Sequence, residues 1–95
     1  MNYSEITKAL DGATGFDLFR LHAAIGRMLD DPQRVVEVKR AVWVGQEIEY
    51  FDVDSNRPLM GRLVEFRRTR VVIQNLHDGK RWLVPYYVIN IHKVE

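Results

Sequence analysis

Residues 70–91 read RVVIQNLHDGKRWLVPYYVINI, and this stretch decides the fold. Two runs rich in β-branched and aromatic residues, 70–77 and 80–85, flank Asp78-Gly79. An Asp-Gly pair tolerates positive φ, so the pair is expected at the tip of a two-residue hairpin, with glycine taking the left-handed conformation. Pro85 has no amide hydrogen for a ladder, so Tyr86-Tyr87 should make a short turn before a strand resumes over 88–93. Working back toward the N-terminus, the same texture gives strands over 59–67 and 46–52. Arg68-Thr69 is read as a tight turn and Asp54 to Pro58 as a connector rich in turn formers. Gly61, inside a strand, suggests a bulge or a sharp bend. Five antiparallel strands are therefore expected between Gln46 and Lys93.

Upstream of Arg40 the pattern is helical. Ser4 can cap a short helix over Ser4–Leu10, with Ile6 and Leu10 four residues apart, and the segment stops at Asp11-Gly12. After the Gly12 to Gly15 turn, Asp17 can cap a helix whose apolar residues Leu18, Leu21, Ile25, Met28 and Leu29 recur at helical spacing. Phe16 and Phe19 widen that face, while Arg20, Arg27 and Asp30 are polar. Pro32 ends this helix and, as a first helical residue after Asp31, can start a third one running through Val35, Val36 and Lys39. The run Val35-Val36-Glu37-Val38 suits an extended segment as well. The two parts, 1–40 helical and 41–95 stranded, meet without a linker. One domain is expected, with the Asp17–Leu29 helix packed on the strands through Leu18, Leu21, Ile25 and Met28.

The chain has 95 residues, of which 46% are hydrophobic, enough to build a core without staples. It has no cysteine, which removes disulfides, thiolate nucleophiles and cysteine-based zinc sites and fits a reducing compartment; a cytoplasmic location is the expectation. Residues 1–10 lack the pattern of a secretory signal. No apolar run approaches the ~20 residues of a membrane span, and Asn2 stands where myristoylation needs glycine. No membrane association is expected.

Fourteen Lys and Arg oppose thirteen Asp and Glu, for a net charge of +1. Their distribution is uneven. Residues 1–40 hold six of each sign, and 41–56 hold four acids (Glu47, Glu49, Asp52, Asp54) and no base. Residues 57–82 hold seven bases against two acids, a local +5. Ten of the bases are arginine, the side chain suited to bidentate recognition of phosphate or carboxylate. Acidic and basic strands could equally pair across a sheet.

Catalytic constellations are absent from the pattern. His22, His77 and His92 have no zinc-like spacing, and Glu47 and Glu49 alternate on one strand in the manner of solvated carboxylates. Ser4 and Ser55 lack a nucleophile elbow, and Gly12 to Gly15 has neither the spacing nor the lysine of a phosphate loop. An enzyme, a cofactor and a small-molecule substrate are therefore not expected. The best candidate site is a basic cluster with aromatics beside it: Arg67, Arg68 and Arg70 around the tight turn, Lys80 and Arg81 on the next hairpin, and Trp82, Tyr86 and Tyr87 as stacking faces. Single-stranded nucleic acid needs this mixture, since guanidinium groups track phosphates while aromatic planes stack bases. The alternative is a protein-interaction module that uses the aromatic Pro85-Tyr86-Tyr87 turn or the amphipathic helix.

The stretch Trp82-Leu83-Val84-Pro85-Tyr86-Tyr87-Val88 resembles the end of SH3 domains, where an apolar strand runs into a proline and a short turn bearing a tyrosine. Val44-Gly45-Gln46 through Gly61-Arg62-Leu63-Val64 resembles the start of Tudor and KOW-type barrels. The likeness covers residues 43–93 and implies an α+β protein with N-terminal helices packed on a five-stranded antiparallel SH3-like β-barrel. KOW-type barrels imply contact with nucleic acid or with the machinery of transcription and translation. Tudor domains imply an aromatic cage, for which Tyr50, Phe51, Trp82, Tyr86 and Tyr87 are the candidates. The paired tryptophans of a polyproline groove are missing.

Overall fold

The structure, a computed structural model, describes residues 1–93; residues 94–95, the end of the expected 41–95 part, lie outside the described residues. Three helices precede four strands: α1 (Tyr3–Asp11), α2 (Gly15–Leu29), α3 (Pro32–Ala41), β1 (Glu47–Asp52), β2 (Arg57–Phe66), β3 (Arg70–Asn75) and β4 (Arg81–Pro85). Two 3-10 turns follow, Tyr86–Val88 and Ile91–Lys93. The chain divides into two compact units, Met1–Asp31 and Pro32–Glu95.

In the first unit the caps sit slightly upstream of the expected ones. The Asn2 side chain accepts from the Glu5 amide at 3.1 Å and starts α1. Thr14, not Asp17, caps α2. Its hydroxyl accepts from the Asp17 amide at 3.2 Å while the Asp17 carboxylate accepts from the Thr14 amide at 3.3 Å, a reciprocal capping box. No residue of Met1–Asp31 is buried. Within this unit Leu18, Leu21, Ile25 and Met28 remain 43–59% exposed.

The second unit holds the core. Antiparallel pairing in the order β1-β2-β3-β4 puts Ile48, Tyr50, Leu63, Val71 and Ile73 on one face of the sheet, all 4% exposed or less. The helix that covers this core is α3. Val38 and Val42 are buried there with Val35 beside them, and positions 35, 38 and 42 fall on one helical stripe. The weak helix propensity of valine costs under ~1 kcal/mol per residue, whereas burying each valine contributes about 1.5–3 kcal/mol. Packing therefore decides in favour of helix over the extended alternative.

The expected five-stranded barrel is not formed: the sheet has four strands and stays open. Tyr86-Tyr87 do form the expected short turn, but over 88–93, where the fifth strand was expected, Val88 completes that turn and Ile89 makes one isolated bridge to Tyr50. Asn90 then stops any ladder from extending. Its amide donates to the Glu49 carbonyl at 2.9 Å, its side-chain nitrogen to the Glu49 carboxylate at 2.6 Å, and its side-chain oxygen accepts from the His92 amide at 3.1 Å. Such local side-chain bonds compete with strand pairing.

Smaller features also differ from expectation. The bulge lies at Val64, between the Leu63–Ile73 and Glu65–Val72 pairs, and it shifts the inward set of β2 from Leu63 to Phe66. Gly61 answers another need: a Cβ there would meet Ile73 Cγ2 at 2.5 Å and Tyr50 Cε1 at 3.0 Å. The turn Arg68-Thr69 is closed by the Arg67 amide donating to the Arg70 carbonyl at 2.8 Å. The loop between β3 and β4 spans Leu76–Lys80, five residues rather than two, although Gly79 does take φ 74°.

Candidate functional site

The expected basic cluster is parted by the register. Directly opposed residues of an antiparallel pair share a face, so Arg70↔Pro85, Val72↔Leu83 and Gln74↔Arg81 lie on the outer face, whereas Ile73↔Trp82 and Val71↔Val84 lie on the core side. Arg70 and Arg81 are thus on the same face but four strand positions apart, roughly 13 Å. Trp82 points to the other side from both. Arg67 pairs with Glu65, two residues before it, at 3.5 Å, and Arg62 pairs with Glu47 directly across β1–β2 at 3.3 Å, one acid–base pair across the sheet. Arg68 is exposed in the β2–β3 turn and Lys80 in the β3–β4 loop, at opposite ends of β3. Tyr87 is 48% exposed, but Tyr86 is 2% exposed, stacked on Phe66 with ring centroids 6.0 Å apart and covered by the Lys39 ammonium at 5.6 Å. Burial raises the Tyr86 hydroxyl pKa above the ordinary phenol range. Its ring offers no free face to a base. The five cage candidates divide likewise, since Tyr50 is also core.

What the structure does assemble is a groove of ≈ 290 Å³. One wall is the end of β1 and the turn after it, Tyr50 to Asp54; the other is β4 and the 3-10 turn, with Trp82, Val84, Pro85 and Val88. Leu59 and Asn75 also line it. Phe51 and Trp82 are 44% and 48% exposed. Asp52, Asp54 and Asp78 line it too, and among the described residues no arginine or lysine does.

The local sequence explains both walls. Asp52 accepts from the Ser55 hydroxyl at 2.6 Å and from the Ser55 amide at 3.2 Å, and Asn56 adopts φ 54° to close the β1–β2 turn. The Ser55 hydroxyl, with backbone amides and Arg57 in support, holds the Asp52 carboxyl below the ordinary aspartate range. Opposite, the buried Asn75 donates to the Tyr50 hydroxyl at 2.8 Å and accepts from the His77 and Asp78 amides at 2.7 and 3.1 Å. One side chain thereby joins β1 to the loop that carries Asp78. The sequence signal for this groove was the acidic run before Asn56 together with Trp82, two features that pattern reading assigned to different roles.

Among the described residues, no group of three His, Asp or Glu is placed to hold a metal ion, and no helix is long and apolar enough to cross a membrane. Comparison with protein-family models, with curated proteins and with solved structures gives no match to this chain.

Proposed function

We propose that this chain is a non-enzymatic interaction module whose groove between β1 and β4 takes an extended peptide segment with apolar side chains flanked by lysine or arginine. The observation that carries the reading is the half-exposed pair Phe51 and Trp82 set among three aspartates. Aromatics that are neither core nor fully solvated are the usual anchors of an interface, and the aspartates select a positive partner. β4 has β3 as its one strand neighbour, so its other edge has main-chain groups for an added strand.

Intrinsic fluorescence tests the proposal. The chain has two tryptophans, Trp43 and Trp82, so a Trp43→Phe protein reports from the groove alone. Titration with a library of short peptides that alternate apolar and basic residues should shift its emission saturably, and acidic counterparts should not. Single-stranded RNA and DNA form the second arm. Saturable nucleic-acid binding that is lost in Arg68→Ala and Arg70→Ala, with no peptide response, would replace this reading by the phosphate-directed one.

A further inference from the structure

The outer face of the sheet carries a second hollow, and its charge is opposite to that of the groove. Val72 and Leu83 stand opposite each other in the middle of β3 and β4, with Glu65 opposite Val72 on β2 and Val64 beside it in the bulge. Val64, Val72 and Leu83 floor a hollow of ≈ 310 Å³ that Arg67 and Arg81 also line. Leu83 is 45% exposed. Trp82 borders both this hollow and the groove, so it does not tell the two apart.

Pairing leaves this face positive. Glu47 is held by Arg62 at 3.3 Å and Glu65 by Arg67 at 3.5 Å, while Glu49, on the far strand β1, accepts from Asn90 at 2.6 Å. Among the described residues Arg70 and Arg81 have no acidic partner. Arg70 lies two residues from Val72 toward one end of the sheet, and Arg81 two residues from Leu83 toward the other. The aliphatic floor is thus flanked by two uncompensated arginines whose strand positions are roughly 13 Å apart.

The form of a partner follows from what a sheet face lacks. The main-chain groups of β3 are engaged by β2 and β4, so a strand laid on this face would bury backbone groups with no partner, at about 1–3 kcal/mol each. A helix arrives with its backbone bonds made internally, and its diameter of ~10–12 Å fits between Arg70 and Arg81. Carboxylates on its flanks gain charge-assisted bonds to the two guanidinium groups, whereas a basic helix is repelled. Nucleic acid fits this floor less well, because its side chains are aliphatic and offer no ring for stacking.

We infer that the outer face of the sheet docks an acidic amphipathic helix of another protein, with the helix's apolar stripe on Val64, Val72 and Leu83 and its aspartate or glutamate flanks on Arg70 and Arg81. Neither of these arginines lines the groove, so failure of this inference leaves the reading of the groove intact.

The test is fluorescence anisotropy with the full chain and a labelled peptide of about 20 residues, long enough to be helical, that carries leucine on one face and glutamate on its flanks. Binding should be saturable and should weaken with added salt. Arg70→Ala and Arg81→Ala should each weaken it about fivefold, and together about twenty-five-fold, because sites this far apart act independently. Leu83→Thr, which keeps strand propensity, should weaken it as well, with little change in melting temperature. Absence of saturable binding overturns the inference. So does binding that the two arginine substitutions leave unchanged, or equal affinity for a peptide of the same composition in which leucine and glutamate alternate and form no helical stripe. Binding of single-stranded RNA or of phosphatidylserine vesicles through the same arginines, with the peptide left unbound, would assign the face to phosphate and equally reject the helix.

Discussion

The Tyr86 hydroxyl donates a hydrogen bond to the carbonyl oxygen of Arg67, tying the 3-10 turn after β4 to the turn between β2 and β3. This contact gives two residues of the basic-aromatic cluster a structural duty. Tyr86→Phe should cost about 1 kcal/mol, because the Arg67 carbonyl loses its partner while the stacked ring remains. Tyr86→Ala should cost about 3–5 kcal/mol through loss of the buried ring. Chemical denaturation separates the two. The same burial predicts alkaline sensitivity. The folded pKa of Tyr86 is raised, so its contribution is complete below the ordinary tyrosine value of about 10 and is lost as pH rises through the higher folded value. Tyr86→Phe should therefore flatten the alkaline fall in melting temperature.

Gly61 shows a constraint that sequence reading located but explained wrongly. A methyl group there would push into Ile73, itself fully buried, and against the Tyr50 ring. Gly61→Ala should destabilise by about 1–3 kcal/mol through overpacking, where a bend-forming glycine on an open surface would have lost far less. An unchanged melting temperature would show that Ile73 can move aside.

Gly79 fails for a different reason. Space around it is open, the nearest atom to an added Cβ being Gln74 Nε2 at 3.9 Å, and the strain comes from φ 74° alone. Gly79→Val should cost on the order of 1 kcal/mol or more, and Gly79→Asn much less, because asparagine tolerates that conformation. Equal losses for the two variants would mean that backbone geometry is not the cause.

The strands could be read because their alternation and turn residues are local properties. Asp78-Gly79 marked the third connection, Arg68-Thr69 the second, and the helix ends came within a few residues through Pro32 and Gly12. The absence of a fifth strand could not be read, since Val88-Ile89-Asn90-Ile91 has good strand composition and what interrupts it is long-range: Tyr86 buried under Lys39 of α3, and Asn90 bound to Glu49. Nor could pattern show that α3 packs on the core, because Val35-Val36-Glu37-Val38 suits an extended segment as well. For the site, composition found the arginines and aromatics, but face assignment depends on register. Arg81 and Trp82 are neighbours on β4 and so face opposite sides, and the β3–β4 register, with Gln74↔Arg81 and Arg70↔Pro85, sets Arg70 and Arg81 at opposite ends of the outer face.

Asp52 links the groove to acid stability. Its carboxyl is held below the ordinary aspartate range first by the Ser55 hydroxyl, so its stabilising effect is present above the unfolded value of about 3.9 and is lost as pH falls through the lower folded value. Ser55→Ala should lower the melting temperature at neutral pH, and the gap to the parent protein should close as the solution is acidified into and below the aspartate range. A gap that is independent of pH would assign the loss to the turn backbone instead.

Trp82 carries the functional test with the most risk. It lies on the core side of an edge strand at 48% exposure, so Trp82→Ala removes an anchor of the groove without emptying the buried core. Peptide affinity should drop by at least tenfold, which is about 1.4 kcal/mol, while the melting temperature changes little. Asp54→Asn should weaken binding less in this exposed position and should remove part of its salt dependence, because a rim charge acts mainly on encounter. The arginines on the outer face provide the control. Arg70→Ala and Arg81→Ala should leave peptide affinity unchanged, since neither lines the groove. If those two substitutions weaken binding as much as Trp82→Ala does, the partner contacts the outer face and the groove is not the site.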